Sequence, residues 1–221
     1  MHVVWDWNGT LLDDLEVVVE SVNRGLAGFG VGPIDLDGYR THYTRPVKLF
    51  YDRLFGRPIT DQEWTDLDRI FHSAYLELLS GARLTTDAAR ALANVRARGH
   101  TQSLLSMFPH VELMPLIERL AVASFFHRID GLAGPPGDRK AAYLDRHLRL
   151  LTEGEDPTTV VVIGDTPDDA EAAFHVGAHC VLYDGGSHHR TDLEAVGVPV
   201  GGTLVEAVEV ALSRSNSGRS E

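Results

Sequence analysis

Asp6 closes the short apolar run His2-Val3-Val4-Trp5 and opens the stretch Asp6-Trp7-Asn8-Gly9-Thr10-Leu11-Leu12. The apolar run predicts a buried strand, and the Gly-Thr pair interrupts it. A carboxylate therefore stands at the carboxyl end of a strand, where open α/β sheets place their ligands. Three more sites of this kind follow. Ser106 ends an expected strand that begins at Thr101, and it precedes Met107-Phe108-Pro109. Lys140 starts a helical pattern after Gly137-Asp138-Arg139. The run Gly164-Asp165-Thr166-Pro167-Asp168-Asp169 follows the apolar segment ending at Ile163.

Together these side chains suit a phosphoryl group. An Asp carboxylate can attack phosphorus and carry it as an aspartyl phosphate. A serine hydroxyl beside a backbone N–H can hold phosphate oxygens, and a lysine can neutralise nucleophile and phosphate together. Carboxylates from different strand ends can hold Mg²⁺, which takes oxygen ligands and keeps several waters. Taken singly, each residue has a plainer reading. Ser106 alone is a turn serine and Lys140 alone a solvated helix lysine. Asp165 and Asp169 alone are acids favoured in a first helical turn. The argument rests on their order and on the strand ends they share.

The elements that must position them come from the apolar pattern. Helical periodicity predicts a helix capped by Asp14, a second helical stretch over about 37–55 broken near Arg45-Pro46, and a third opened by the capping-box spacing Thr60-Asp61-Gln62-Glu63. Residues 14–82 thus form an all-α insertion. From residue 86 helices and strands alternate, with strands expected at 101–107, 125–132, 159–163 and 178–183. That alternation predicts right-handed βαβ units around a parallel sheet. The expected architecture is α/β, with a Rossmann-like core at 1–13 and 83–212, a helical cap at 14–82 and a disordered tail at 213–221.

This order resembles the haloacid dehalogenase superfamily of hydrolases. Asp6-Trp7-Asn8-Gly9-Thr10-Leu11 is similar to its nucleophile motif. Ser106 corresponds to the second motif, Lys140 to the third, and Asp165 with Asp169 to the acidic fourth. The helical insert directly after the first motif resembles the family's small α-helical cap. Together with the Gly-Asp-Thr-x-x-Asp run it is most similar to the phosphoglycolate-phosphatase-like branch. The resemblance implies strand order 5-4-1-2-3, with Asp6 and Asp165 on neighbouring strands. It implies Asp6 as nucleophile, Ser106 and Lys140 as catalytic partners, and Mg²⁺ held by Asp6, the Asn8 backbone carbonyl, Asp165 and Asp169. Gly9, Thr10 and Met107 would contact the phosphate. The cap would select the substrate, with Arg45 and Lys48, near His42 and Tyr43, as candidate contacts.

Asn8 departs from the motif. Phosphatases of this family carry an Asp there, which protonates the leaving group and then activates water. An amide cannot exchange a proton in this way. Three readings follow. The first is a Mg²⁺-dependent phosphatase acting on a small phosphorylated metabolite. The second is a phosphonatase-like hydrolase, whose family motif Asp-Trp-Ala-Gly-Thr is close to the one here and which would use Lys48 for a Schiff base. The third is a degenerate member that binds a phosphometabolite or a protein without turnover.

Composition narrows the partners. The net charge of -12 disfavours a nucleic-acid or anionic-membrane partner. Only two of the 20 basic side chains are lysines, Lys48 and Lys140, so each stands out. The one cysteine, Cys180, excludes an intrachain disulfide and a Cys-rich metal site and reads as a buried strand residue. His188-His189 reads as a solvated loop, since neighbours on a strand point oppositely. No signal-like or membrane-length apolar run precedes the first strand, so a cytoplasmic protein is expected.

Overall fold

The computed structural model describes residues 1–133, 139–151 and 159–217, with side chains to residue 213. Gly137 and Asp138, and the last four residues of the expected tail, lie outside the described residues.

Six strands make one parallel sheet: β1 (His2–Trp5), β4 (Thr101–Pro109), β5 (Ile129–Leu132), β6 (Val160–Gly164), β7 (His179–Tyr183) and β8 (Val200–Gly201). Their spatial order is β5-β4-β1-β6-β7-β8. The expected order 5-4-1-2-3 is present, and β8 extends it by one edge strand. Two residues between a Pro and a Gly carry no readable period, so sequence pattern alone misses β8. A second, two-stranded antiparallel ribbon pairs β2 (Leu12–Asp13) with β3 (Arg83–Leu84). It joins the two ends of the helical insertion.

Four helices form that insertion: α1 (Leu15–Ala27), α2 (Leu36–His42), α3 (Val47–Phe55) and α4 (Asp61–Leu78). The expected break falls between α2 and α3, at Arg45-Pro46. Thr60 and Glu63 form the reciprocal capping box that opens α4. The helices bury their own apolar cluster, including Val22, Leu26, Phe50, Tyr51 and Leu67. The remaining helices flank the sheet: α5 (Ala88–Ala97), α6 (His110–Arg119), α7 (Lys140–Leu151), α8 (Pro167–His175), α9 (Arg190–Glu194) and α10 (Leu204–Ser217).

Alternation along each strand feeds two layers. Val3 and Trp5 pack with α5, α6 and α10 residues such as Leu92, Ile117 and Val208. Val4 packs on the opposite face with Leu144 and Ala173 of α7 and α8. Cys180 is buried on β7, in the second layer.

Two expectations change. Asp14 precedes α1 but makes no side-chain cap bond. Its carboxylate is taken by the loop that follows Asp6, as described below. Helix α10 runs on to Ser217, so residues 213–217 of the expected tail are helical. The polar composition of that segment hides a helix whose preceding turns, at Leu204, Val208 and Leu212, are anchored in the core.

The capping box gives a stability prediction. Thr60→Ala removes one of the two reciprocal bonds and should lower the free energy of unfolding by about 1 kcal/mol. Urea denaturation measures it; an unchanged midpoint would show that the box contributes nothing.

Candidate active site

Register decides which side chains meet. Trp5 of β1 lies opposite Leu104 of β4 on one side and Ile163 of β6 on the other. The Asp6 N–H continues the ladder to the Ile163 carbonyl at 2.9 Å. Asp6 and Asp165 therefore leave neighbouring strands side by side. Lys140, the first residue of α7, reaches in and donates from Nζ to Asp6 Oδ1 and to Asp169 Oδ1. Lys140 is buried, and Asp165 and Asp169 are each only 1% exposed. Ligand oxygens of Asp6, Asp165 and Asp169 all lie within 4.8 Å of one another.

Three carboxylates thus face one ammonium out of water, and the ionisation shows it. Burial pushes the Asp6 carboxyl up to about 7, with Asp169 and Asp165 adding to the rise and Lys140 opposing it. Burial likewise pushes Asp165 up to about 6, helped by Asp169. Burial alone would lower Lys140, but Asp169 and Asp6 outweigh it and raise its pKa above the usual lysine value. Lys140 therefore stays cationic.

Neighbouring groups fix the carboxylates. Asp165 Oδ2 accepts from Ser187 N at 2.8 Å and Ser187 Oγ at 2.7 Å. Thr10 Oγ1, fully buried, lies 3.3 Å from Asp6 Oδ2 and 3.2 Å from Asp165 Oδ1. Asp169 Oδ2 accepts from Thr166 N at 3.0 Å and Thr166 Oγ1 at 2.7 Å. Gly9 has φ +69°, and a Cβ there would meet Asp165 Oδ2 at 2.7 Å. The loop needs glycine for both conformation and close approach.

Asn8 has its own partners. Its Nδ2 donates to Asp14 Oδ2 at 2.9 Å and to Tyr75 Oη at 2.7 Å. Tyr75 donates to the same Asp14 oxygen at 2.5 Å, and Gly9 N donates to Asp14 Oδ1 at 2.8 Å. Asp14 is 1% exposed, and burial raises its carboxyl pKa despite these bonds. Asn8 Oδ1 faces Ser106 Oγ at a longer 3.4 Å. Asn8 is thus the donor that ties a buried carboxylate to the loop that follows Asp6.

A cavity of about 490 Å³ opens over these residues. Asp6, Asn8, Gly9, Lys140, Asp165 and Asp169 line one end, with Met107 and Arg45 also on its wall. Two expected phosphate contacts sit differently. Ser106 and Thr10 are not on the cavity wall. The Ser106 hydroxyl accepts from Phe108 N at 3.0 Å, and the Thr10 hydroxyl bridges carboxylates. Arg45 Nε pairs with Asp168 Oδ2 at 3.3 Å. Lys48 is also away from the wall. It pairs with Asp61 at 2.6 Å, because one helical step beyond Val47 turns it outward. The C–P hydrolase reading, which requires the Lys48 amine in the cavity, loses its residue.

Ser187, Asp14 and Tyr75 escape the sequence reading. Gly185-Gly186 after the last recognised strand was the available signal for the first. A Cβ at Gly186 would run into the Asp165 side chain. Arg40 of α2 reaches this loop, donating to the Gly186 carbonyl at 2.9 Å. His188, half-buried, stacks edge-on against Tyr43 at 5.5 Å and so is no solvated histidine.

A family model for haloacid dehalogenase-like hydrolases matches residues 1–177. The chain belongs to that family of hydrolases. It is similar to the phosphoglycolate phosphatase of Synechococcus elongatus, with 28% identity over 196 residues covering 87% of this chain and 88% of that one. The phosphoglycolate phosphatase of Pseudomonas putida is 24% identical over 200 residues, covering 87% and 72% respectively. Among solved structures, a haloacid dehalogenase-like family hydrolase from Streptococcus pneumoniae superposes with a TM-score of 0.79 at 18% identity, over 95% of this chain and 97% of that chain. That last likeness concerns the fold. Among the described residues no helix is long and apolar enough to cross a membrane.

The Asn8 contacts change what an acid at this position should do. Asn8→Asp would replace a donor by a second carboxylate beside Asp14. It should cost about 1–3 kcal/mol of stability, the range for a buried group left unsatisfied. The exchange Asn8→Asp with Asp14→Asn returns one amide and one carboxylate to the pair and should recover most of the loss. Thermal unfolding of the four proteins in this cycle checks it. Equal stability of Asn8→Asp and wild type would show that the Asn8–Asp14 bond is not formed.

Proposed function

We propose that the protein is a Mg²⁺-dependent phosphatase that hydrolyses a small phosphorylated metabolite through phospho-Asp6. The observation that carries this reading is Lys140, buried and bonded at once to Asp6 and Asp169 beside Asp165, at the floor of an open cavity. The phosphatase names of the relatives in Synechococcus and Pseudomonas point the same way.

Asp6 is the nucleophile. Its Oδ forms a bond to phosphorus as the bond from phosphorus to the leaving oxygen breaks. Water then attacks the phosphoryl group, phosphate leaves, and the Asp6 carboxylate returns. Lys140 stays protonated and stabilises negative charge on both Asp6 and the phosphoryl oxygens. Thr10 and Ser187 keep the carboxylates from turning away. Asp169 anchors Lys140 with one oxygen and Thr166 with the other.

The donor set fits a hard divalent cation. All three acids offer oxygen, they are close together, and one ammonium leaves them with excess negative charge. Asp6 and Asp165 would hold it, with Asp169 adjoining. When bound, it supplies charge that offsets repulsion between an anionic nucleophile and an anionic substrate.

Asn8 cannot pass a proton to the leaving oxygen. The leaving group must then depart on its own stability and take its proton from solvent. Aryl or acyl phosphates should react much faster than alkyl phosphates of similar size. The exchange Asn8→Asp with Asp14→Asn should raise the alkyl rate by up to about 10²–10⁴, the usual contribution of general acid–base catalysis. The test measures phosphate release from an aryl and an alkyl ester by wild type, by this exchange variant and by Asp6→Asn. Asp6→Asn should be inactive, and acid-quenched wild type should carry phosphate on Asp6. Full activity of pure Asp6→Asn would falsify the nucleophile assignment; no release from any phosphate ester would leave a binding protein without turnover.

Mg²⁺ should compete with protons here. In the folded protein Asp6 and Asp165 hold protons up to about 7 and about 6, above the unfolded carboxylate value of 3.8. The metal-free fold therefore loses stability as pH rises through that window, since the folded state binds more protons. Mg²⁺ binds the deprotonated form, so its stabilisation grows over the same window. The rise in Tm on adding Mg²⁺ should be larger at pH 8 than at pH 5.5, read by calorimetry. An increment independent of pH would place the cation elsewhere.

A further inference from the structure

The same cavity is also walled by aromatic rings. Tyr39, Phe50, Tyr51, Trp64, Phe71 and Phe108 line it, all but the last from the α2–α4 helices. Val18 and Val22 of α1 close a further side. The rings form two connected groups: Tyr39 meets Phe50 edge-on at 5.4 Å, Phe50 meets Tyr51 at 5.2 Å and Tyr51 lies 6.0 Å from Trp64, while Phe71 and Phe108 each pack on Tyr75, at 5.7 and 5.8 Å. Rings that already support one another make a preformed apolar wall, the usual form of a site for an apolar ligand body.

The charges on the wall are equally informative. Outside the Asp6 cluster the cavity carries the acids Asp14, Asp68, Glu112 and Asp168. The arginine on its wall, Arg45, is already paired with Asp168, and the histidine on its wall, His72, lies against Asp68 at 3.4 Å. A second anionic group on the substrate, such as a carboxylate, would meet acids rather than a free cation, and would be desolvated without compensation. A neutral ring would bury its faces against the aromatic wall.

On the phosphatase reading above, we infer that the substrate is the phosphate ester of a neutral aromatic or similarly bulky apolar alcohol, and not a small phosphorylated carboxylic acid. The phosphate sits by Lys140 and the ring lies toward Trp64 and Phe71. Such an ester also matches a site that lacks an acid at Asn8, because a phenolic oxygen leaves more readily than an alkyl one.

The test uses ligands that cannot be hydrolysed, so that binding and turnover are read apart. Calorimetry in Mg²⁺ compares 1-naphthylmethylphosphonate, benzylphosphonate and phosphonoacetate. Affinity should fall in that order, with the naphthyl compound at least about 10-fold tighter than phosphonoacetate, as burial of a ring predicts. Trp64→Ala should weaken the naphthyl compound and leave phosphonoacetate unchanged. Leu76→Ala should do the same to a smaller degree; Leu76 lines the cavity yet is 45% exposed, so its truncation does not endanger folding. Phosphonoacetate binding as tightly as the aromatic compounds, or no binding of either aromatic compound, overturns the inference. Phosphate release from 1-naphthyl phosphate is measured on the same preparations. Tight aromatic binding without release defeats the hydrolytic reading and leaves the ligand class standing.

Discussion

The structure depends on how a lysine ammonium is kept out of water among three carboxylates. Lys140 bonds to Asp6 and Asp169 while Asp165 stands beside them, and burial would be costly for any one of these charges alone. Removing one partner of such a buried pair typically costs about 3–5 kcal/mol. Burial first, and then the neighbouring acids that one ammonium does not balance, raise the carboxyl pKa values of Asp6 and Asp165. On the proposed reading the imbalance has a use: a site short of positive charge would attract a divalent cation, and its fixed ammonium would still receive a phosphate.

Parallel pairing supplies the precision this requires. β1 sits at the centre, with β4 and β6 on either side in matched register, so three strand ends converge at one edge of the sheet. Nearby backbone and hydroxyl donors then lock the acids. Ser187 holds Asp165, Thr10 bridges Asp165 and Asp6, and Thr166 holds Asp169. Gly9 and Gly186 leave room for Asp165 to come close to both loops.

Asn8 links this machinery to the helical insertion. Its amide, the Tyr75 hydroxyl of α4 and the Gly9 N–H all converge on Asp14. The residue that has no ionisable proton is also the donor that lets a buried acid exist at the junction of loop and helix. Chemistry at position 8 and identity at position 14 are therefore coupled. Arg40, by holding the loop at Gly185-Gly186, gives the insertion a second hold on the acidic site. The aromatic wall and the acidic cluster line one cavity.

Much of this was legible in the sequence. Apolar runs before Asp6 and Gly164 marked two strand ends, and Thr60 with Glu63 marked a helix start, because backbone periodicity and capping are local effects written in adjacent residues. The order of Asp6, Ser106, Lys140, Asp165 and Asp169 was enough to name the family that the match over residues 1–177 then supported. The α/β class and the central strand order followed from the same reading. Other features were decided only by tertiary structure. Asp14 looks like a helix cap from its neighbours but spends its carboxylate on Asn8, Gly9 and Tyr75, the last 61 positions away. Lys48 and Arg45 looked alike as pocket candidates, yet helix rotation turns Lys48 to Asp61 and leaves Arg45 on the cavity wall. Ser187, the edge strand β8 and the ring-lined wall likewise depend on packing between segments far apart in the chain. Local sequence sets which way a backbone runs and where it stops. Which side chains face one another across a cavity is set by the packing of whole elements, and no short stretch of residues records it.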